Sequence, residues 1–217
     1  MVRKIFFRIL CIGIVVLLTF SNSVSAAKTY HFKAFASPSA INVDEEDDED
    51  DFYSTATIGY MVSAMQTLEY NNYYGTNNYH ITSSKQDVLD YIGMSGKNYG
   101  LAVLAHGNTT YFTMGDSSQR ITVDNITGTW HLVLINSCYT YQNNSFANAF
   151  KTVGYDHRAS IGFYSEVTYK QAHKFWEIFA SLAGSTTLDT IVHYADDMTD
   201  APGVLWGDGT WNGYAWY

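Results

Sequence analysis

The stretch "LAVLAHGNTTYF", residues 101–112, decides how this chain is read. An apolar run from Leu101 to Ala105 stops on His106 and Gly107. The pattern returns in "HLVLINSCYTY", residues 131–141, where a second apolar run reaches Asn136, Ser137 and Cys138. Neither run alternates apolar with polar residues. A strand apolar on both faces is buried on both faces, as in parallel sheets covered by helices. In such sheets ligands bind beyond the carboxyl ends of the strands. If the two strands are neighbours, His106 and Cys138 share one crevice.

The rest of the chain fits that sheet. "TYHFKAFA" (29–36), "YHITS" (79–83) and "RASIGFYS" (158–165) read as strands. "IGYMVSAMQTLEY" (58–70) puts Met61, Met65 and Leu68 on one helical face. "SSKQDVLDYIGMSG" (83–96) has a Ser cap and ends near Gly. "YFTMGDSSQRITVDNI" (111–126) reads as a β-hairpin lying between the His and the Cys blocks. Helices are expected in "NSFANAFKTVG" up to Gly154, in "YKQAHKFWEIFASLAG" up to Gly184, and in "TLDTIVHYADDM". On the second of these, Phe175, Ile178, Phe179 and Leu182 form the core stripe, and His173 is placed at the surface or half-buried. A last strand turns at "GDG" in residues 207–209. Strands alternating with helices give an α/β fold: a mostly parallel sheet with helices on both faces.

The first 26 residues have the form of a secretory signal peptide. Arg3, Lys4 and Arg8 precede an apolar stretch from Ile9 to Phe20, and small residues precede Ala27. That stretch is short of the ~20 residues a membrane span needs. The expectation is a secreted protein with no membrane anchor after cleavage. Three of the 12 basic residues leave with the signal, so 9 remain against 21 acids, a formal charge of −12. So acidic a surface repels nucleic acid. Of the two cysteines, Cys11 lies in the signal and Cys138 stands alone, which excludes an internal disulfide.

Eight consecutive acids occupy residues 44–51. Like charges at that density suit a solvated loop or tail. A calcium loop is one alternative, because hard cations take carboxylate oxygens, although the run lacks the spacing of an EF-hand; a removable pro-segment or processing linker is the other. The expected organisation is a signal peptide over 1–26, an N-terminal strand and acidic segment over 27–52, and one domain over 53–217. None of the histidines has metal-ligand spacing, and no metal is assigned to them.

A thiolate attacks carbonyl carbon well, but a free thiol is mostly protonated at neutral pH. A nearby imidazole can take that proton and later protonate a leaving amine. The backbone N–H groups of Gly107 and Cys138 can hold the developing oxyanion, each typically worth about 3 kcal/mol in the transition state.

The order of an apolar strand ending in His-Gly, a hairpin, and an apolar strand ending in Ser-Cys resembles the caspase-like cysteine peptidases, the superfamily of clostripain, gingipains, legumain, separase and caspases. "FANAFKTVGYDHRASIGFYSEV", "FWEIFASLAGSTTLDTIVHYA" and "VLWGDGTW" are similar to the blocks that follow in that family, and the likeness runs over residues 53–210. The resemblance implies a three-layer caspase-like sandwich that cleaves a polypeptide substrate. It makes His106 the catalytic histidine, Cys138 the nucleophile, and the Gly107 and Cys138 amides the oxyanion hole. Clostripain-like members carry an acid two residues before the cysteine that selects Arg or Lys. Here that substrate-binding position is the neutral Asn136, so a charge for the pocket has to come from another wall, with Asp116, Asp124 and Glu166 as the candidates. Three other readings use the same residues: an inactive relative that only binds, a transpeptidase with an amine acceptor, and a dimer bridged through Cys138.

Overall fold

The computed structural model describes residues 30–41, 48–68, 70–72, 79–94 and 99–212. Residues 1–26, read from sequence as a signal peptide, lie outside them. Among the described residues the main sheet has seven strands. Its path starts at the antiparallel edge strand β10 (Gly203–Gly207) and passes through β9 (Ala159–Phe163), β8 (Trp130–Asn136), β4 (Tyr99–Leu104) and β1 (Tyr30–Ala36) to β2 (Tyr70–Asn72). β3 (His80–Ile81) also pairs with β1. Every pairing except β9 with β10 is parallel.

The apolar runs explain the layers. Side chains alternate across a strand. Ala102, Leu104, Leu132 and Leu134 therefore join a core on one face, while Leu101, Val103, Val133 and Ile135 join a separate core on the other. The first face is covered by α2 (Asp48–Thr67), α5 (Tyr169–Leu182) and α6 (Leu188–Thr199). The second is covered by α3 (Lys85–Gly93), α4 (Ser145–Ala149) and the hairpin of β6 (Tyr111–Thr113) and β7 (Arg120–Thr122). The expected α/β sheet with helices on both faces is thus present. Met61, Met65 and Leu68 are fully buried, as the helical pattern predicts, each worth roughly 1.5–3 kcal/mol of transfer free energy.

Four expectations are corrected. First, the acidic run is not wholly a loop, because α2 begins at Asp48. Second, the boundary at 52/53 falls inside α2, and β1 is hydrogen bonded along its length to β4, so residues 30–36 belong to the same sheet as the rest. Third, the helix expected up to Gly154 stops at Ala149. Lys151 takes a left-handed conformation, and the Thr152 hydroxyl is bonded to the Ala147 carbonyl and the Ser160 hydroxyl, which pins the chain into a turn. Fourth, His173 is buried, its ring centroid 5.4 Å from that of Tyr60.

The link between β3 and α3 carries a pH-sensitive contact. The Thr82 hydroxyl donates to Asp87 Oδ2 at 2.6 Å. That bond, helped by His80, holds the Asp87 carboxyl below its usual range. A lowered carboxyl pKa adds stability above the unfolded value, about 3.9, and the gain disappears as pH falls through the folded value. Thr82→Val should therefore lower Tm at about pH 6 and matter less at about pH 3. Equal Tm differences at both pH values in thermal melts would contradict this.

Candidate active site

Three adjacent parallel strands build the site through their register. Ala36 of β1 pairs with Leu104 of β4, and Leu104 pairs with Asn136 of β8. Whatever follows each strand therefore leaves the sheet at the same level. His106 stands two residues past Leu104, and Cys138 two residues past Asn136. The ladder continues one step further, with Ala105 N–H donating to the Asn136 carbonyl at 3.0 Å and Ser37 N–H to the Leu104 carbonyl at 2.8 Å. His106 and Cys138 line one cavity of about 170 Å³, together with Ala40, Ala105, Asn136, Ser137 and a wall from Val167 to Tyr169.

His106 opens β5 (His106–Gly107), which pairs with β6. Its Nε2 lies 2.9 Å from the Ser39 carbonyl oxygen. A carbonyl only accepts, so Nε2 donates. In the neutral ring Nδ1 is then the nitrogen with a free lone pair. Ser39 belongs to α1 (Pro38–Ile41), the short turn that follows β1. Sequence reasoning missed it; a four-residue turn has too little periodicity to announce itself. Cys138 begins the turn after β8, and its Sγ donates weakly to the Val167 carbonyl at 3.7 Å. Among the described residues no hydrogen bond joins His106 to Cys138; each is bonded instead to a backbone carbonyl.

Tyr139, next in the chain, has φ 58°, a left-handed conformation uncommon for a bulky residue. Its N–H is held by the Ser165 carbonyl at 3.0 Å, which turns the chain sharply away from the thiol. Gly107 pairs with Phe112 and, unlike His106, is not among the residues that line the cavity. Hydrogen-bonded and non-bonded pairs alternate along an antiparallel ladder. Asn108 N–H donates to the Tyr111 carbonyl at 2.9 Å, so the Gly107 N–H in the next pair points away from the hairpin. Ser137 lines the cavity, while its hydroxyl is buried beside Gly107 and has no hydrogen-bond partner.

The wall opposite has a local cause that the sequence carries as Thr-x-x-Gln. Thr168 caps α5: its hydroxyl accepts from Gln171 N–H at 3.2 Å, while Gln171 Oε1 accepts from Thr168 N–H at 3.1 Å. This reciprocal box fixes where Val167 and Tyr169 stand.

Asn136 lines the cavity as expected of a substrate-binding residue, but half of its amide is already used. Its Oδ1 accepts from Trp176 Nε1 at 2.9 Å, inside the core. Trp176→Phe should cost about 1–3 kcal/mol by stranding that oxygen. An unchanged urea midpoint would show the bond to be incidental. Asp116, Asp124 and Glu166 are all exposed, and none of them lines the cavity. Among the described residues no three His, Cys, Asp or Glu side chains are grouped to hold a metal. The expected calcium loop at 44–51 lies outside the described side chains. Among the described residues no helix is long and apolar enough to cross a membrane.

The architecture is therefore a helix–sheet–helix α/β protein with an imidazole and a thiol at the carboxyl ends of adjacent parallel strands. No family model matches the chain, and no curated protein matches it. Among solved structures it is similar to the complex of the pro- and mature domains of RgpB from Porphyromonas gingivalis, at 13% sequence identity and a TM-score of 0.48. That match covers 84% of this chain and 48% of the other, so the chain spans about half the length of the structure it matches.

Proposed function

We propose that this chain is an exported cysteine peptidase of the caspase-like kind, hydrolysing peptide bonds through an acyl-enzyme on Cys138. The observation that carries the reading is the matched register of β4 and β8, which sets His106 and Cys138 on one cavity. The leader pattern of residues 1–26 supports the export.

Sγ attacks the carbonyl carbon and its proton passes to the imidazole, whose Nδ1 is the free nitrogen. The carbonyl oxygen becomes an oxyanion facing the N–H groups of Gly107 and Cys138. The C–N bond breaks as the imidazolium protonates the leaving amine. Water, deprotonated by the imidazole, then attacks the thioester and releases the acid, returning the thiol. The Ser39 carbonyl acts as a positioning group: it holds the ring and keeps Nδ1 toward the reaction.

The test is hydrolysis of a diverse fluorogenic peptide library by the purified protein under reducing conditions. Turnover to free acid is the expected result. Ligated product in the presence of amines would turn the reading to transpeptidation. Silence from the folded protein would turn it to a module that only binds.

A further inference from the structure

Two independent features of the cavity bear on which peptide it accepts, and both deepen the peptidase reading on which they rest. The first is charge. Among the described residues His106 is the only ionisable nitrogen group on the lining, and no carboxylate lines it; the rest of the walls come from Ala40, Ala105, Ala172 and Val167 and from the neutral polar Ser137, Thr168 and Tyr169. A Lys, Arg, Asp or Glu side chain entering there would be desolvated with no opposite charge to meet it, which is costly. The second is the direction of the Asn136 amide. An indole N–H is a donor only, so the amide atom facing Trp176 at 2.9 Å has to be the oxygen. The end of the amide left for the cavity is then Nδ2, which carries two N–H donors. Donors reject the donor-only heads of Lys and Arg and favour an oxygen acceptor.

We infer that the residue on the acyl side of the scissile bond is uncharged and carries a side-chain oxygen acceptor, as in Gln, Asn, Ser or Thr, and that Lys and Arg are excluded. Trp176 acts here as a positioning residue: it never meets substrate, but it decides which end of Asn136 does. The neutral Asn136 is thus a matched part of a neutral pocket rather than a damaged basic-specific one.

The experiment compares kcat/KM for peptides that differ only at that residue, for the wild type and for Asn136→Asp. The wild type should prefer the uncharged acceptor residues to Lys and Arg by at least about ten-fold, the size of one 1.4 kcal/mol discrimination. Asn136→Asp keeps an acceptor for the indole and presents a carboxylate oxygen to the cavity, so it should raise relative cleavage after Lys and Arg by a similar factor. Cleavage by the wild type after Lys or Arg as fast as after Gln or Ser would overturn the inference while leaving the peptidase reading intact. Absence of any reaction at Cys138 with every peptide would overturn both. If Asn136→Asp does not fold, the wild-type profile alone decides.

Discussion

Cys138→Ala should lower peptide hydrolysis by about 10⁴-fold or more, because the thiol is the only proposed nucleophile and groups acting as one unit fail together. His106→Ala should fall nearly as far, and the double variant little further. The same substitution should barely touch stability. Cys138 is only partly buried, and its Sγ makes one long contact, 3.7 Å to the Val167 carbonyl. A loss under about 1 kcal/mol is the expected cost of such a bond. The pair of readouts is what discriminates: kcat/KM collapses while Tm stays in place. Activity surviving in Cys138→Ala would place the chemistry elsewhere.

Gly107→Ala should damage both quantities. A Cβ at that position would meet the Ser137 hydroxyl and come within 2.7 Å of the Tyr111 carbonyl oxygen. The hydroxyl can rotate, but the carbonyl belongs to the backbone of β6 and cannot step aside without moving the hairpin. Overpacking of this kind costs about 1–3 kcal/mol. Relieving the clash also shifts β5, which carries the Gly107 N–H, so loss of its hydrogen bond to the oxyanion should cost a further ~10²–10³-fold in kcat. Calorimetry and kcat on the same preparation measure the two effects. A variant with unchanged Tm and unchanged kcat would show that Gly107 neither packs nor acts as described.

The strands were legible where burial dictates composition. β4 and β8 are covered on both faces, so their residues are apolar in succession, and their ends are marked by the first residues that are not. Helices with one wet face, such as α3 and α5, were legible from spacing and caps. The register was not legible. Nothing in residues 99–136 states that Leu104 pairs with Asn136 or that β1 lies beside β4, because pairing is settled by the whole sheet at once. For the same reason the strand at residues 30–36 could be read as a strand but not as an inner member of the main sheet, and the division at 52/53 was drawn through a helix. The self-repulsion of the acidic run marks a solvated segment but does not show that a helix begins within it, at Asp48. His106, Cys138, Gly107 and Asn136 were legible as residue types at strand ends. Ser39 and Trp176, which orient His106 and Asn136, were not: they act across 67 and 40 residues of chain through single hydrogen bonds. Thr168 and Gln171 carried a readable capping box that locates the far wall of the cavity.

The most direct test of the account is covalent. A peptidyl acyloxymethyl ketone with Gln before its warhead needs a bound peptide, an attacking thiol and the site's own geometry to react, so it reports the three together. Incubated with the folded protein and mapped by mass spectrometry, it should form a single adduct on Cys138. Labelling should be strongly slowed in His106→Ala and absent from Cys138→Ala. A folded protein whose Cys138 alkylates with a small reagent but never with the peptidyl probe would contradict the account, leaving a cavity that holds a thiol and does not hold a peptide against it.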